Sequence, residues 1–80
     1  MRRVVLYGKA GCHLCDEARA AVAEVRAHHP FELEEVDVST DPELHHAYGE
    51  RIPVLAIDGD ELFEFHVDAD ELARRLQSDR

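Results

Sequence analysis

The chain has 80 residues, enough for one small domain over residues 1–80, and 18 acidic against 9 basic residues give it a formal net charge of −9. Because nucleic acid and anionic membrane surfaces attract proteins through Lys and Arg, this charge argues against both as partners. Hydrophobic residues make up 45% of the chain and charged residues 34%, a balance that favours a folded domain over a disordered segment.

The N-terminal part of the chain predicts a strand, a helix and a second strand. RRVVLY (residues 2–7) is a short β-branched apolar run ended by Gly8, which is typical of a buried strand. Residues 13–28 contain neither Gly nor Pro, are rich in Ala and predict the first helix. The expected apolar stripe of this helix comprises Leu14, Ala18, Ala21, Val22 and Val25. The imperfect alternation of FELEEVDV (residues 31–38) predicts a strand in a sheet covered on both faces, or a strand with a bulge.

A short helix and a hairpin are predicted next. Asp41 is placed to cap the short helix, with a proline at its first position. The apolar run IPVLAI (residues 52–57) predicts a buried strand. Asp58 and Gly59 form a strong hairpin signal, so ELFEF (residues 61–65) is predicted as the returning strand.

The last helix is predicted at residues 68–77, where Asp68 and Glu71 resemble a capping box. The order of elements is therefore β-α-β-α-β-β-α, which is an α/β domain. The first strand, helix and second strand should form a right-handed parallel unit. The hairpin should add two antiparallel strands, and the last helix should pack back on the sheet.

Both cysteines of the chain, Cys12 and Cys15, lie where the glycine-containing loop meets the first helix. At a helix N-terminus, unpaired N–H groups and the positive end of the helix dipole favour the thiolate form of Cys12. Cys15 follows one turn later on the same face, close enough to close a short disulfide. We interpret Cys12 as the attacking thiol and Cys15 as the resolving thiol of a redox pair.

The expected compartment also favours a redox or metal interpretation of the cysteines. The apolar run Val4–Tyr7 is far too short for the core of a secretory signal. Nothing in the sequence approaches the roughly 20 apolar residues of a membrane span. We therefore expect a cytoplasmic protein, and stable structural disulfides are rare in the cytoplasm.

Two other interpretations of the cysteine pair stay open. A structural zinc site usually needs four protein ligands, and the chain has no second cysteine pair, so histidines would have to complete it. An iron–sulfur carrier, or a thioredoxin-like adaptor with non-catalytic thiols, would also contain such a pair. We expect no metal ligands among the site residues.

With these features in place, the chain resembles a glutaredoxin-like member of the thioredoxin superfamily over nearly its whole length, and it is most similar to small bacterial glutaredoxin-like proteins. The matching motifs are the strand VVLY, the segment Cys12-His13-Leu14-Cys15 opening a helix, Ile52-Pro53 before the next strand, and the hairpin with the last helix. The resemblance implies a thioredoxin-like fold, a four-stranded mixed sheet flanked by helices. It also implies thiol–disulfide oxidoreductase activity.

The resemblance further implies roles for residues around the cysteines. Pro53 is expected in cis beside them, which would leave the backbone of Ile52 free to pair with an extended substrate peptide. Lys9 would support the thiolate and approach a carboxylate of glutathione. A protonated His13 would stabilise the reduced pair, and Arg51 would add positive charge nearby. The alternative for each of these three side chains is an ordinary solvated surface position.

The chain departs from typical glutaredoxins where glutathione is bound. His66 and Val67 stand where the family usually has a Gly-Gly pair before an aspartate, and their side chains would hinder close approach to the backbone. We expect no tightly bound cofactor, with glutathione or another low-molecular-weight thiol as a candidate co-substrate. Otherwise a reductase would supply the electrons. The expected substrates are disulfide-containing proteins, and the expected state is a monomer.

Overall fold

The computed structural model describes residues 2–77 and confirms the predicted order of elements. The strands are β1 (Arg3–Gly8), β2 (Glu32–Asp37), β3 (Val54–Ile57) and β4 (Asp60–Glu64). The α-helices are α1 (His13–Arg26), α2 (Pro42–Tyr48) and α3 (Ala69–Gln77), and a 3₁₀ helix spans Val38–Thr40. No helix in the described part of the chain has the length and hydropathy that a membrane crossing requires.

The four strands form one mixed sheet in the order β2-β1-β3-β4. β1 pairs with β2 in parallel, and β3 is antiparallel to both β1 and β4, as predicted. Tyr7 near the end of β1 lies opposite Val54 at the start of β3. The loop that follows β1 and the segment that precedes β3 therefore meet at the same end of the sheet.

The core consists of two apolar clusters. The larger one packs the sheet against α1 and α3, and its fully buried members include Val4, Val22, Leu55 and Leu72. The smaller one lies where β1 gives way to α1, and it is the cluster that contains the cysteines. Its buried residues are Cys15, Val38 and Ile52, with Tyr7, Cys12, Leu44 and Tyr48 packed against them.

The predicted apolar stripe of α1 was wrong at Leu14. That side chain is 43% exposed, whereas Cys15 beside it is only 1% exposed. Adjacent helical residues point about 100° apart, so both cannot face the sheet. The helix also ends at Arg26, two residues earlier than predicted, because the amides of His28 and His29 both turn back to the carbonyl of Val25.

The broken alternation around β2 has a different cause from the predicted bulge. The register with β1 runs without interruption along the whole of β2. Phe31 and Val38 lie just outside the strand, and each is buried in a different apolar cluster. The sheet does contain an irregularity, but it lies in the β3–β4 pairing between Leu55 and Ala56. Val38 opens the unpredicted 3₁₀ helix, whose N-cap Asp37 accepts hydrogen bonds from Ser39.

The predicted turn and helix caps are found in the structure, with one correction. Asp58 and Gly59 both have positive φ, as a two-residue hairpin turn requires. The carboxylate of Asp41 accepts from the amide of Glu43 at the start of α2. Asp68 caps α3 in the same way, but Glu71 does not complete a capping box, because its carboxylate pairs with arginines later in the helix.

The predicted hairpin strands were one or two residues too long at the end nearest the cysteines. β3 begins at Val54 rather than Ile52, and β4 ends at Glu64, so Phe65 lies outside the sheet ladder. The three residues left out of the ladder, Ile52, Pro53 and Phe65, therefore lie in the region of the candidate site.

Candidate functional site

Cys12 is the N-cap residue of α1, and its sulfur takes the place of the oxygen that a capping side chain normally supplies. Its backbone is extended, and its Sγ accepts a hydrogen bond of 3.2 Å from the amide of Cys15. The first helical backbone bond runs from the amide of Asp16 to the carbonyl of Cys12. A sulfur held at the positive end of a helix, with an N–H group directed at it, is placed to carry negative charge.

Cys15 lies one turn further along α1 and is almost completely buried. This burial raises the pKa of the Cys15 thiol, and a hydrogen bond to Cys12 raises it further. The backbone N–H of Lys9, which faces the Cys15 sulfur, partly opposes both effects. Both cysteines are free thiols. The helix therefore offers one half-buried sulfur, with a buried thiol of raised pKa one turn behind it.

Gly8, at the end of β1, makes room for the buried sulfur. A Cβ built on Gly8 would lie only 3.0 Å from Sγ of Cys15 and 3.4 Å from its Cβ. From the sequence, Gly8 was predicted only as the end of a strand, and its part in the site was not predicted. Its contact with the sulfur depends on how α1 packs on β1, which a local sequence pattern does not contain.

The segment Ile52-Pro53 reaches the cysteines from the neighbouring strand. The peptide bond between them is cis. Ile52 is 8% exposed and packs in the same apolar cluster as both cysteines. Neither its N–H nor its C=O has a backbone partner within residues 2–77. Pro53 is buried, and its carbonyl accepts a 2.8 Å hydrogen bond from the amide of Phe65.

Lys9 and His13 are the two polar residues predicted for the site. Their side chains lie outside the apolar cluster that contains the cysteines and Ile52. Lys9 is exposed and reaches Cys15 only through its backbone N–H. The imidazole of His13 is 85% exposed, and its Nε2 lies 2.9 Å from a carboxylate oxygen of Glu17, one turn later on the same helix face. The structure therefore places both on the rim of the site.

An aromatic and ionic network supports the site from the side of α2. The rings of Tyr7 and Tyr48 are stacked with centroids 4.3 Å apart, and the guanidinium of Arg51 lies 5.2 Å from the centroid of Tyr48. Arg51 also pairs with Glu64 at 2.6 Å and with Glu61 at 3.3 Å. The charge of Arg51 is thus matched by carboxylates of β4, and the sequence analysis did not foresee this connection.

Tyr48 provides a spectroscopic test of this network. Burial, followed by a hydrogen bond to Glu61, raises the pKa of Tyr48 to about 12. We expect the difference in phenolate absorbance between the native protein and Tyr48→Phe to titrate near that pH rather than near the ordinary value of about 10. A raised phenol pKa adds stability below the unfolded-state value, and this contribution is lost as the pH rises through the folded value.

Circular dichroism recorded along the same titration separates ionisation in the folded protein from alkaline unfolding. Tyr48→Phe removes the phenol hydroxyl but keeps the ring that stacks on Tyr7, so the variant controls for a change in packing. A difference titration with a midpoint at the ordinary phenol value in the folded protein would contradict the raised pKa of Tyr48 and its hydrogen bond to Glu61.

A cavity of about 190 Å³ lies against Cys15 on the side of β2. Its walls include Gly8, Lys9, Arg19 and Glu35. Arg19 pairs with Glu35 at 2.7 Å, so these two opposite charges in the cavity wall offset each other. A water molecule occupies about 30 Å³ in the liquid, so the cavity has room for several beside the otherwise buried sulfur.

The donor atoms around the cysteines match a metal site poorly. Within residues 2–77, no group of three or more His, Cys, Asp or Glu side chains is arranged to hold a metal ion. The cysteine pair alone would supply two of the four ligands that a structural zinc site usually has.

Comparison with known proteins gives a family, a sequence relative and structural neighbours. The glutaredoxin-like domain family (DUF836) matches residues 3–77. An uncharacterized protein of Mycobacterium tuberculosis, Rv0508, is 31% identical over 75 residues, which cover 88% of this chain and 77% of that protein. The X-ray structure of target protein XcR50 from X. campestris has a TM-score of 0.80 and 36% identity, covering 96% of this chain and 99% of that one. A mutant thioredoxin of Halobacterium salinarum shares the fold, with a TM-score of 0.71 and 23% identity over 96% of this chain and 73% of its own.

Proposed function

The chain belongs to the glutaredoxin-like domain family and has a thioredoxin-like fold, and on that premise we propose that it is a dithiol–disulfide oxidoreductase. The observation that carries this proposal is the unequal environment of the two cysteines. Cys12 caps α1 with a half-buried sulfur, and Cys15 holds a buried sulfur one turn behind it. One thiol is placed to react first and the other to react second.

In the first step, the thiolate of Cys12 attacks one sulfur of a substrate disulfide. A new S–S bond forms between Cys12 and the substrate, and the other substrate sulfur leaves as a thiolate that takes up a proton from water. The N–H of Cys15 and the positive end of α1 support the negative charge on the attacking sulfur.

In the second step, Cys15 releases the substrate. Its thiol gives up a proton and attacks Sγ of Cys12, so that the Cys12–Cys15 disulfide forms and the remaining substrate sulfur leaves as a thiolate. Two electrons pass in total from the dithiol to the substrate disulfide. Burial raises the pKa of Cys15, which favours its thiol form before the attack, and the adjacent cavity supports proton exchange with water.

The backbone beside the cysteines supports binding of an extended substrate. The N–H and C=O of Ile52 have no backbone partner in the described part of the chain, and Ile52 packs in the same apolar cluster as both cysteines. A substrate segment could therefore add to this end of the sheet as a short strand, with Pro53 below it. Lys9 and His13, both exposed on the rim, would border the bound segment.

The cycle requires an electron donor. We propose disulfide-containing proteins as substrates, with glutathione, another low-molecular-weight thiol or a reductase returning the pair to the dithiol state in the cytoplasm. We also propose that the protein acts as a monomer. The stretch that replaces the Gly-Gly pair is occupied by core packing and helix capping. Val67 is buried in the larger core there, and the carboxylate of Asp68 already caps α3.

Differential alkylation of the reduced protein tests the proposal. At neutral pH, iodoacetamide should modify Cys12 rapidly and Cys15 slowly, because Cys15 is buried and protonated. The rate at Cys15 should rise with pH beyond the ordinary thiol value of about 8.5. Mass spectrometry of each cysteine peptide measures both rates.

The same preparation should oxidise when it is mixed with a protein disulfide, losing two hydrogen atoms and forming one internal S–S bond. Slow alkylation of both cysteines, with no oxidation by protein disulfides, would overturn the oxidoreductase assignment. A visible absorption band in freshly purified protein would instead favour the iron–sulfur alternative.

A further inference from the structure

Two large apolar side chains are exposed in residues 2–77, one between the two cysteines and one just beyond the end of β4. Leu14, between the two cysteines, is 43% exposed, and Phe65 is 49% exposed. Single exposed apolar residues are ordinary on protein surfaces. Here, however, the exposed pair coincides with the region where the proposed substrate binds.

The backbone places Phe65 directly across from Pro53. Glu64, the last residue of β4, pairs with Val54, and the amide of Phe65 donates to the carbonyl of Pro53 at 2.8 Å. Ile52, the residue before Pro53, belongs to the apolar cluster that contains both cysteines. The aromatic ring of Phe65 is in neither apolar cluster of the protein. By its backbone position, Phe65 lies at the end of the sheet that also holds the cysteines.

The backbone at Phe65 is strained. Its φ is +67°, and the amide of His66 donates to the carbonyl of Glu64 at 2.6 Å, which closes a γ-turn around Phe65. Turns of this kind with positive φ at the centre are rare and unfavourable, and a bulky residue is a poorer occupant than Gly or Asn. An aromatic ring held there without burial suggests that the ring itself is used.

The charge of residues 31–80, the part of the chain that includes Pro53 and Phe65, favours a particular kind of substrate. Residues 31–80 contain four Arg and 15 Asp or Glu, a balance of 4 − 15 = −11. Arg51, the cation nearest in sequence to Pro53, is already paired with Glu61 and Glu64. A small disulfide that carries carboxylates, such as oxidised glutathione, would meet unfavourable charge on this side. A neutral or basic polypeptide segment with an apolar side chain would not meet this unfavourable charge.

We propose that Phe65, together with Leu14, is a specificity-determining contact that receives an apolar side chain next to the reacting cysteine of a protein substrate. This inference rests on the proposed oxidoreductase function and names its substrate class. The favoured substrates are protein disulfides flanked by apolar and basic residues, and small disulfides that bear carboxylates are disfavoured.

Three disulfide substrates and two variants test the proposal. The substrates are a peptide with one internal disulfide flanked by Leu and Lys, the same peptide with Ser in place of Leu, and hydroxyethyl disulfide, which is small and neutral. Phe65→Asn removes the ring but suits the positive φ, so it should fold. Phe65→Tyr keeps the ring and is the matched control.

Phe65→Asn should lower kcat/KM for the Leu peptide about tenfold, as expected for the loss of one aromatic contact. The Ser peptide and hydroxyethyl disulfide should change less than about twofold, and Phe65→Tyr should behave like the native protein. Equal effects of Phe65→Asn on all three substrates, or none on any, would overturn the specificity role while leaving the oxidoreductase function intact. Failure of the native protein to reduce any of the three would overturn both.

Discussion

Cys12→Ser is expected to abolish the reduction of protein disulfides, with a loss on the order of a thousandfold or more. Ser has no accessible anionic form at neutral pH, so the first S–S exchange cannot begin. Turnover of a peptide disulfide by the reduced protein, followed by mass spectrometry, measures this loss. Activity that survives in Cys12→Ser would contradict the assignment of Cys12 as the attacking thiol.

The loss would not be explained by unfolding of the variant. Ser is a favoured N-cap residue, and its oxygen can accept the amide of Cys15 as the Cys12 sulfur does. The thermal unfolding midpoint of Cys12→Ser should therefore stay close to that of the native protein, and circular dichroism checks this.

The companion variant Cys15→Ser should have a different defect. Cys12 can still attack, but no second thiol is present to release the substrate, so a mixed disulfide between Cys12 and the substrate should accumulate. Since Cys15 is buried, a serine hydroxyl there costs about 1–3 kcal/mol unless it finds a hydrogen-bond partner. Cys15→Ala, which buries no polar atom, is the second trapping variant. Rapid release of the substrate by both variants would contradict the resolving role.

The sequence predicted the fold well because its signals are local. Apolar runs, the Asp58-Gly59 turn and the capping aspartates each report on a few neighbouring residues. The turn and the caps are found where they were expected, and the strands differ from prediction only at their ends. The error at Leu14 also arises because the sequence signals are local. Cys15 had been treated as a reactive residue, although as a small apolar side chain it completes the buried stripe of α1 and leaves Leu14 in solvent.

The site was predictable only in part, because some of its residues meet through the sheet. The spacing of Cys12 and Cys15 brought both to the start of α1, and the family resemblance added Ile52 and Pro53. The pairing of Arg51 with two carboxylates of β4 follows from the register of the hairpin. The positive φ of Phe65 likewise follows from where that hairpin ends.

Gly8→Ala is expected to disturb both stability and the second redox step. The added Cβ would lie 3.0 Å from Sγ of Cys15, in a region where both residues are buried, so the sulfur or the helix has to move. Overpacking of this kind costs about 1–3 kcal/mol in free energy of unfolding. Chemical denaturation measures that cost, and the decay of a trapped mixed disulfide measures the slower attack by the displaced Cys15 sulfur.

The Cys15→Ala background tests whether the sulfur is the cause. A glycine in a strand lowers stability by about 0.5–1 kcal/mol relative to alanine, so Gly8→Ala should be neutral or stabilising once the sulfur is gone. The same substitution would then destabilise one background and not the other. If Gly8→Ala costs the same free energy of unfolding in both backgrounds, the added Cβ does not clash with the Cys15 sulfur. A change of sign would show that β1 ends in glycine to hold the resolving thiol against the strand, at the expense of the strand's own stability.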